Sequence, residues 1–179
     1  MKLALPTPIQ NIVGILNWKV GPEVFPKSAA LLALSLIGFG VAVFLRQLMD
    51  YSALRAAASA AGSAAILGAT AFLCAKLSGY GERLIQTLTA MAIGGAAVIL
   101  ITTFLRFFLV VAYTLDELPE RNVSELANFL LFPLIVWNVY VFAALFRRSF
   151  RPSVPLAFAI AVPLVYILDF LVPAAFPGL

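Results

Sequence analysis

Five apolar segments constrain this chain more than any other feature: approximately Ser28–Leu45, Ala56–Leu77, Leu84–Leu105, Leu126–Phe146 and Val154–Val172. A bilayer core about 30 Å thick is crossed by roughly 20 helical residues, and each segment is close to that length. Hydrocarbon offers no hydrogen-bond partner to peptide groups, so such segments must be helical. The fold expected is therefore all-α, a polytopic transmembrane bundle of five spans. With 63% hydrophobic and 11% charged residues, the chain could not clothe its apolar surface in water, where soluble domains carry about 25% charged residues. Lipid is the expected solvent and the lipid bilayer the first partner.

Two regions follow from this pattern, an N-terminal segment over 1–27 and the five-helix domain over 28–179. In the first, Ile9, Ile12, Val13 and Leu16 fall at i, i+3, i+4 and i+7, with Gln10, Asn11 and Asn17 off the stripe and Trp18-Lys19 at its end. This reads as a short amphipathic helix, lying in the headgroup layer or packed against the bundle. Lys2 is followed by Pro6, Pro8, Gln10 and Asn11 with no continuous apolar run, which does not resemble a cleavable signal peptide. The first span is expected to be retained.

Lys and Arg in short loops set orientation. With five spans, Lys2, Lys19, Lys27, Lys76, Arg83, Arg147, Arg148 and Arg151 share the side of the N-terminus, against Arg46, Arg55 and Arg121 on the other. Eight against three places the N-terminus in the cytoplasm and the C-terminus outside. Acidic residues lean the other way, with Asp50, Asp116, Glu117, Glu120 and Glu125 in outer loops and only Glu23 and Glu82 inside.

Arg106 interrupts an apolar run that otherwise continues from Leu84 to Leu115. From Arg83, 23 helical residues rise roughly 35 Å, which puts Arg106 at the outer headgroup level. The rival is a helix shifted outward that buries Arg106 and demands an acidic partner, for which Asp169 on the last span is the candidate.

In the second span, Ser59 and Ser63, and Ala64 and Gly68, form small-xxx-small pairs, and Gly94-Gly95 on the third span offers a flat patch to meet them. Small residues let helix backbones approach in lipid, so the second span is expected at the packed centre of the bundle or at a dimer face. The most polar stretch, SGYGERLIQTLTAM, places Glu82 and Arg83 at the interface and Gln86, Thr87 and Thr89 on the first turns of the third span. It reads as a docking site or as a helical hairpin whose threonines bond back to their own helix. Pro133, Pro155 and Pro163 interrupt the last two spans, and Asn138 falls near the midplane, where its amide needs a partner.

The chain has no histidine and one cysteine, Cys74, which removes Ser-His and Cys-His dyads and zinc, haem and iron–sulfur ligand sets. No P-loop or HExxH pattern is present. The basic residues form no face for nucleic acid. No catalytic residue, cofactor or metal site is expected.

Two stretches, KVGPEVFPKSAALLAL leading into the first span and ERLIQTLTAMAIG opening the third, resemble a group of small proteobacterial inner-membrane proteins. Those proteins share the arrangement of the Yip1-type five-helix membrane domain. The resemblance implies a cell inner membrane, a cytoplasmic N-terminus, an external C-terminus and a membrane-organising role exercised through partners. No functional residue carries over, and the long soluble N-terminal region of the eukaryotic members is lacking. The function expected is a non-catalytic partner, adaptor or assembly factor, working with another membrane protein or as a homo-oligomer. The alternative is a small transporter or channel subunit.

Overall fold

A computed structural model describes residues 7–114 and 120–177, with side chains over 8–111 and 129–177. Lys2, Asp116 and Glu117, and the side chains of Glu120, Arg121 and Glu125, lie outside the described residues. The chain runs α1 (Thr7–Leu16), α2 (Ala29–Gln47), α3 (Ala53–Ser78), α4 (Leu84–Thr114), α5 (Glu120–Phe150) and α6 (Val154–Tyr166). A π-helical segment, Ile167–Leu171, continues α6 into α7 (Val172–Ala174). Among the described residues, five helical stretches are long and apolar enough to cross a membrane: Ala29–Gln47, Ala53–Ser78, Gly81–Val111, Phe129–Phe150 and Val154–Ala174. The protein is an all-α bundle of five membrane-spanning helices.

Local chemistry sets the helix ends. Ser28 Oγ accepts from Leu31 N at 3.2 Å and Ser52 Oγ from Arg55 N at 3.3 Å, so each serine satisfies a peptide donor at the first turn of a span. Gly79, with φ 76°, closes α3 in the left-handed conformation that glycine adopts without a steric penalty. Trp18 takes the same conformation after α1, with φ 59°. Its indole lies 5.5 Å from the Tyr140 ring and its carbonyl accepts from Arg148 Nη2 at 2.7 Å.

The bundle is built around α4. Thr87, Leu88, Thr89, Ala90, Met91 and Ala92 are buried in succession, on every side of the helix. α2 and α5 flank α4, α3 packs on α2, and α6 packs on α5. A Cβ on Gly95 would lie 3.1 Å from Phe39 Cε2 and 3.2 Å from Phe142 Cζ, and one on Gly94 would lie 3.4 Å from both Ile15 and Val141. The glycine pair therefore receives bulky side chains from α1, α2 and α5, where the sequence suggested the small residues of α3. Two fully buried phenylalanines need a recess, and a helix surface without Cβ atoms supplies it.

α3 occupies the side of the bundle rather than its centre. Ser59 and Ser63 face inward and are buried, whereas a Cβ on Gly68 would meet nothing within 4 Å. α1 packs on α4 and α5 through Ile12, Ile15 and Leu16, leaving Ile9 and Val13 of its apolar stripe on the outside. Trp137 Nε1 donates to the Leu16 carbonyl at 3.0 Å, which satisfies one free acceptor at the end of α1.

Gly95→Val is expected to destabilise the purified protein by about 1–3 kcal/mol through overpacking. Gly68→Val, with the same change in helix propensity, should shift the unfolding midpoint in detergent far less. Equal effects would contradict the packing described.

Candidate functional site

α2 begins at one face of the bundle, here the proximal face, and ends at the other, the distal face. Three arginines at the distal face are held by specific partners. Arg46, in the last turn of α2, donates from Nη1 to Asp169 Oδ1 at 2.6 Å. Arg106 makes two parallel bonds to Asp50, Nη1 to Oδ2 at 2.6 Å and Nη2 to Oδ1 at 2.8 Å. Arg55 donates from Nε and Nη2 to the Pro173 carbonyl at 3.2 and 2.8 Å, with its guanidinium 3.8 Å from the centre of the Tyr51 ring.

The two ion pairs differ in setting. The Asp169 side chain is 6% exposed and that of Arg46 23%, whereas Asp50 is 37% exposed in the turn between α2 and α3. Asp169 lies within the π-helical segment. A π turn inserts one residue into the α-helical repeat and so re-aims the side chains beyond it, a distortion frequent at functional sites.

The sequence offered Asp169 as the partner of a buried Arg106. In the structure the two are not paired: Asp169 takes Arg46, and Arg106 takes Asp50. Arg106 thus stands level with the α2–α3 turn, in keeping with a place at the end of the span. Arg46 and Asp50 were missed as site residues because their pairings span 123 and 56 positions. The available signal was depth, since an acid near the end of the last span and a base near the end of the first lie at one level.

Arg46, Asp169 and Arg106 border a cavity of about 300 Å³, which also reaches Thr102 of α4 and Asn138 of α5. Thr102 Oγ1 donates to the Val98 carbonyl at 2.8 Å. Asn138 is 5% exposed, and its Oδ1 is buried with no hydrogen-bond partner among the described residues. Beneath the cavity, Ser63, Asn138, Arg46 and Asp169 converge on a void of about 10 Å³, close to the room one water needs. Ser63 Oγ and Ser59 Oγ also lack partners among the described residues. Leu131, Phe132 and Phe170 form part of the cavity's apolar wall.

The proximal polar stretch is mostly absorbed by backbone. Thr87 and Thr89 bond back to the carbonyls of Arg83 and Ile85 at 2.8 Å, as a helical hairpin requires. Gln86 Nε2 donates to the Phe25 carbonyl at 2.7 Å, and Arg83 Nη1 to that of Arg148 at 3.3 Å. Glu82 is exposed at the turn. Lys27, Glu82, Arg83, Arg148 and Arg151 line an open hollow of about 470 Å³ there. Of the sequence candidates, Arg106, Asn138, Asp169 and Ser63 meet at the distal cavity and the void beneath it. Glu82, Arg83 and Gln86 form a separate proximal group.

Among the described residues no group of three or more His, Cys, Asp or Glu is placed to hold a metal ion. Comparison with known protein families, curated proteins and solved structures finds no match to this chain.

Removing Asp169 leaves Arg46 unpaired in a largely enclosed site, so Asp169→Ala is expected to cost about 3 kcal/mol of unfolding free energy. Asp50→Ala should cost about 1 kcal/mol or less, because its pair is open to water. The double exchange Arg46→Asp, Asp169→Arg should recover part of the loss. Unfolding in detergent measures all three, and equal costs for the two alanine variants would contradict the burial difference.

Proposed function

We propose that this chain is a non-catalytic inner-membrane protein that assembles with another membrane protein through α3. The carrying observation is the outward face of that helix. Ala57, Ala61, Ala65 and Ala69 are exposed at steps of four residues, one continuous row of small side chains along an α-helix. Acyl chains gain little from such a row, whereas another helix can bring its backbone close to it.

The row runs on into an apolar groove of about 570 Å³ where α3 and α6 part, bounded by Leu73, Leu77, Leu156 and Ile160 over Phe146 and Phe150. A transmembrane helix of a partner protein is the occupant that suits both features. The resemblance to Yip1-type membrane domains supports the same reading, since those proteins act through partners.

Charge supports an orientation with the proximal face in the cytoplasm. Arg46, Arg55 and Arg106 are each engaged within the bundle. Among the described residues, the ion pair at the proximal face is a long one, Arg148 to Glu23 at 3.9 Å. Lys19, Lys27, Lys76, Arg147 and Arg151 make no ion pair with a described residue. Uncompensated basic residues on one side are what the positive-inside rule places in the cytoplasm. The polar cavity reaching Asn138 favours a second reading, a transporter subunit that binds a small solute.

Leucine at both Ala61 and Ala65 tests the assembly reading. Wild-type protein purified from native membranes is expected to retain a membrane partner in fixed ratio, and the double variant to lose it about tenfold, the factor that 1.4 kcal/mol of lost contact gives. The unfolding midpoint of the chain itself should not change. Retention unaffected by the leucines, or a wild-type chain that always purifies as a lone monomer, would refute the reading.

A further inference from the structure

The distal cavity holds an unused set of polar groups. Arg46 contributes one N–H to Asp169, and a guanidinium carries five. Among the described residues, Asp169 accepts at Oδ1 and no donor reaches its Oδ2, and Asn138 Oδ1 has no donor. Donors and acceptors thus stand side by side within one cavity, their own pairing incomplete. An asparagine 95% buried with its oxygen unsatisfied costs free energy unless something in the cavity donates to it.

Charge narrows what that something is. Arg46 with Asp169 and Arg106 with Asp50 form two neutral pairs. A ligand of net charge would enter a largely enclosed site with no counter-charge to spare, and desolvation would oppose it. A zwitterion adds no net charge and matches both ends, its cation on Asp169 Oδ2 and Asn138 Oδ1 and its anion on the free N–H groups of Arg46.

The walls narrow it further. Phe132 and Phe170 line the cavity yet are 60% and 52% exposed on the bundle surface, so the cavity is bordered by side chains that also face the acyl chains. A volume of about 300 Å³ falls at the low end of small-ligand sites. We propose that this cavity takes the zwitterionic head of a membrane amphiphile, a primary ammonium joined to a phosphodiester, while its chains stay in the bilayer along Phe132 and Phe170. The site is separate from the outward face of α3 and does not depend on a protein partner.

The full chain, purified in detergent, is titrated with phosphatidylethanolamine, with phosphatidylglycerol and with free glycerophosphoethanolamine, and bound species are counted by native mass spectrometry. Phosphatidylethanolamine is expected to bind about tenfold or more tightly than phosphatidylglycerol, as the loss of one charged hydrogen bond implies. Asn138→Leu should weaken it about tenfold and leave phosphatidylglycerol unchanged. The same variant should raise the unfolding midpoint of the lipid-free protein, because it removes an unpaired amide, whereas an asparagine with only a structural role would lower it when replaced.

Ile135→Trp, which fills the cavity without altering a charge, should give the same loss of binding and serves if Asn138→Leu does not fold. Equal affinity for the two lipids, or lipid binding that survives both variants, would overturn the proposal. Free glycerophosphoethanolamine binding as tightly as the lipid would overturn the membrane source and assign the site to a soluble zwitterion.

Discussion

Hydrocarbon supplies no hydrogen bonds, and every other feature of this protein answers to that constraint. Peptide groups are satisfied within helices, and the hydroxyls of Thr87, Thr89, Thr102, Thr103 and Ser149 bond back to their own helix, while those of Ser59 and Ser63 have no partner among the described residues. Once polar groups are settled in this way, packing depends on shape. Gly94 and Gly95 recess the surface of α4, and Phe39 and Phe142 fill the recess over Gly95. The arrangement rests on dispersion contact rather than on expulsion of water, which distinguishes a membrane core from a soluble one.

Charges follow the same constraint and divide the molecule. At the distal face Arg46 and Arg106 are paired with carboxylates and Arg55 is held, still charged, by a carbonyl, and these bonds join α2 to the π-helical segment, α4 to the α2–α3 turn, and α3 to α7. These contacts link elements that are far apart in sequence. At the proximal face most basic side chains have no carboxylate partner among the described residues. The asymmetry in unpaired charge is thus sharper than the count of basic residues suggests.

Much of this was legible in the sequence because hydrophobic length and loop charge are local properties. The five spans, the hairpin at Gly79–Thr89 and the terminal place of Arg106 follow from runs of residues and from a rise of 1.5 Å per residue. What was not legible depends on the order in which helices pack. Small residues identify α3 as a packing helix without telling which of its faces is inward, and in the structure Ser59 and Ser63 turn in while Gly68 does not. The choice of Asp50 over Asp169 by Arg106 required the position of α6, which no local pattern carries. The cavity was half visible: Asn138 and Asp169 stood out as polar residues in apolar spans, and their convergence on Arg46 did not.

The most direct measurement is the side of the membrane on which each end and loop lies. Single cysteines at Lys27, Met49, Gly81 and Pro177, in a Cys74→Ser background, can be labelled with an impermeant thiol reagent in intact cells and again after permeabilisation. Five crossings with a cytoplasmic proximal face require Met49→Cys and Pro177→Cys to react in intact cells, and Lys27→Cys and Gly81→Cys to react only once the membrane is breached. Lys27→Cys and Pro177→Cys reacting alike in intact cells would mean an even number of crossings and would contradict the bundle described.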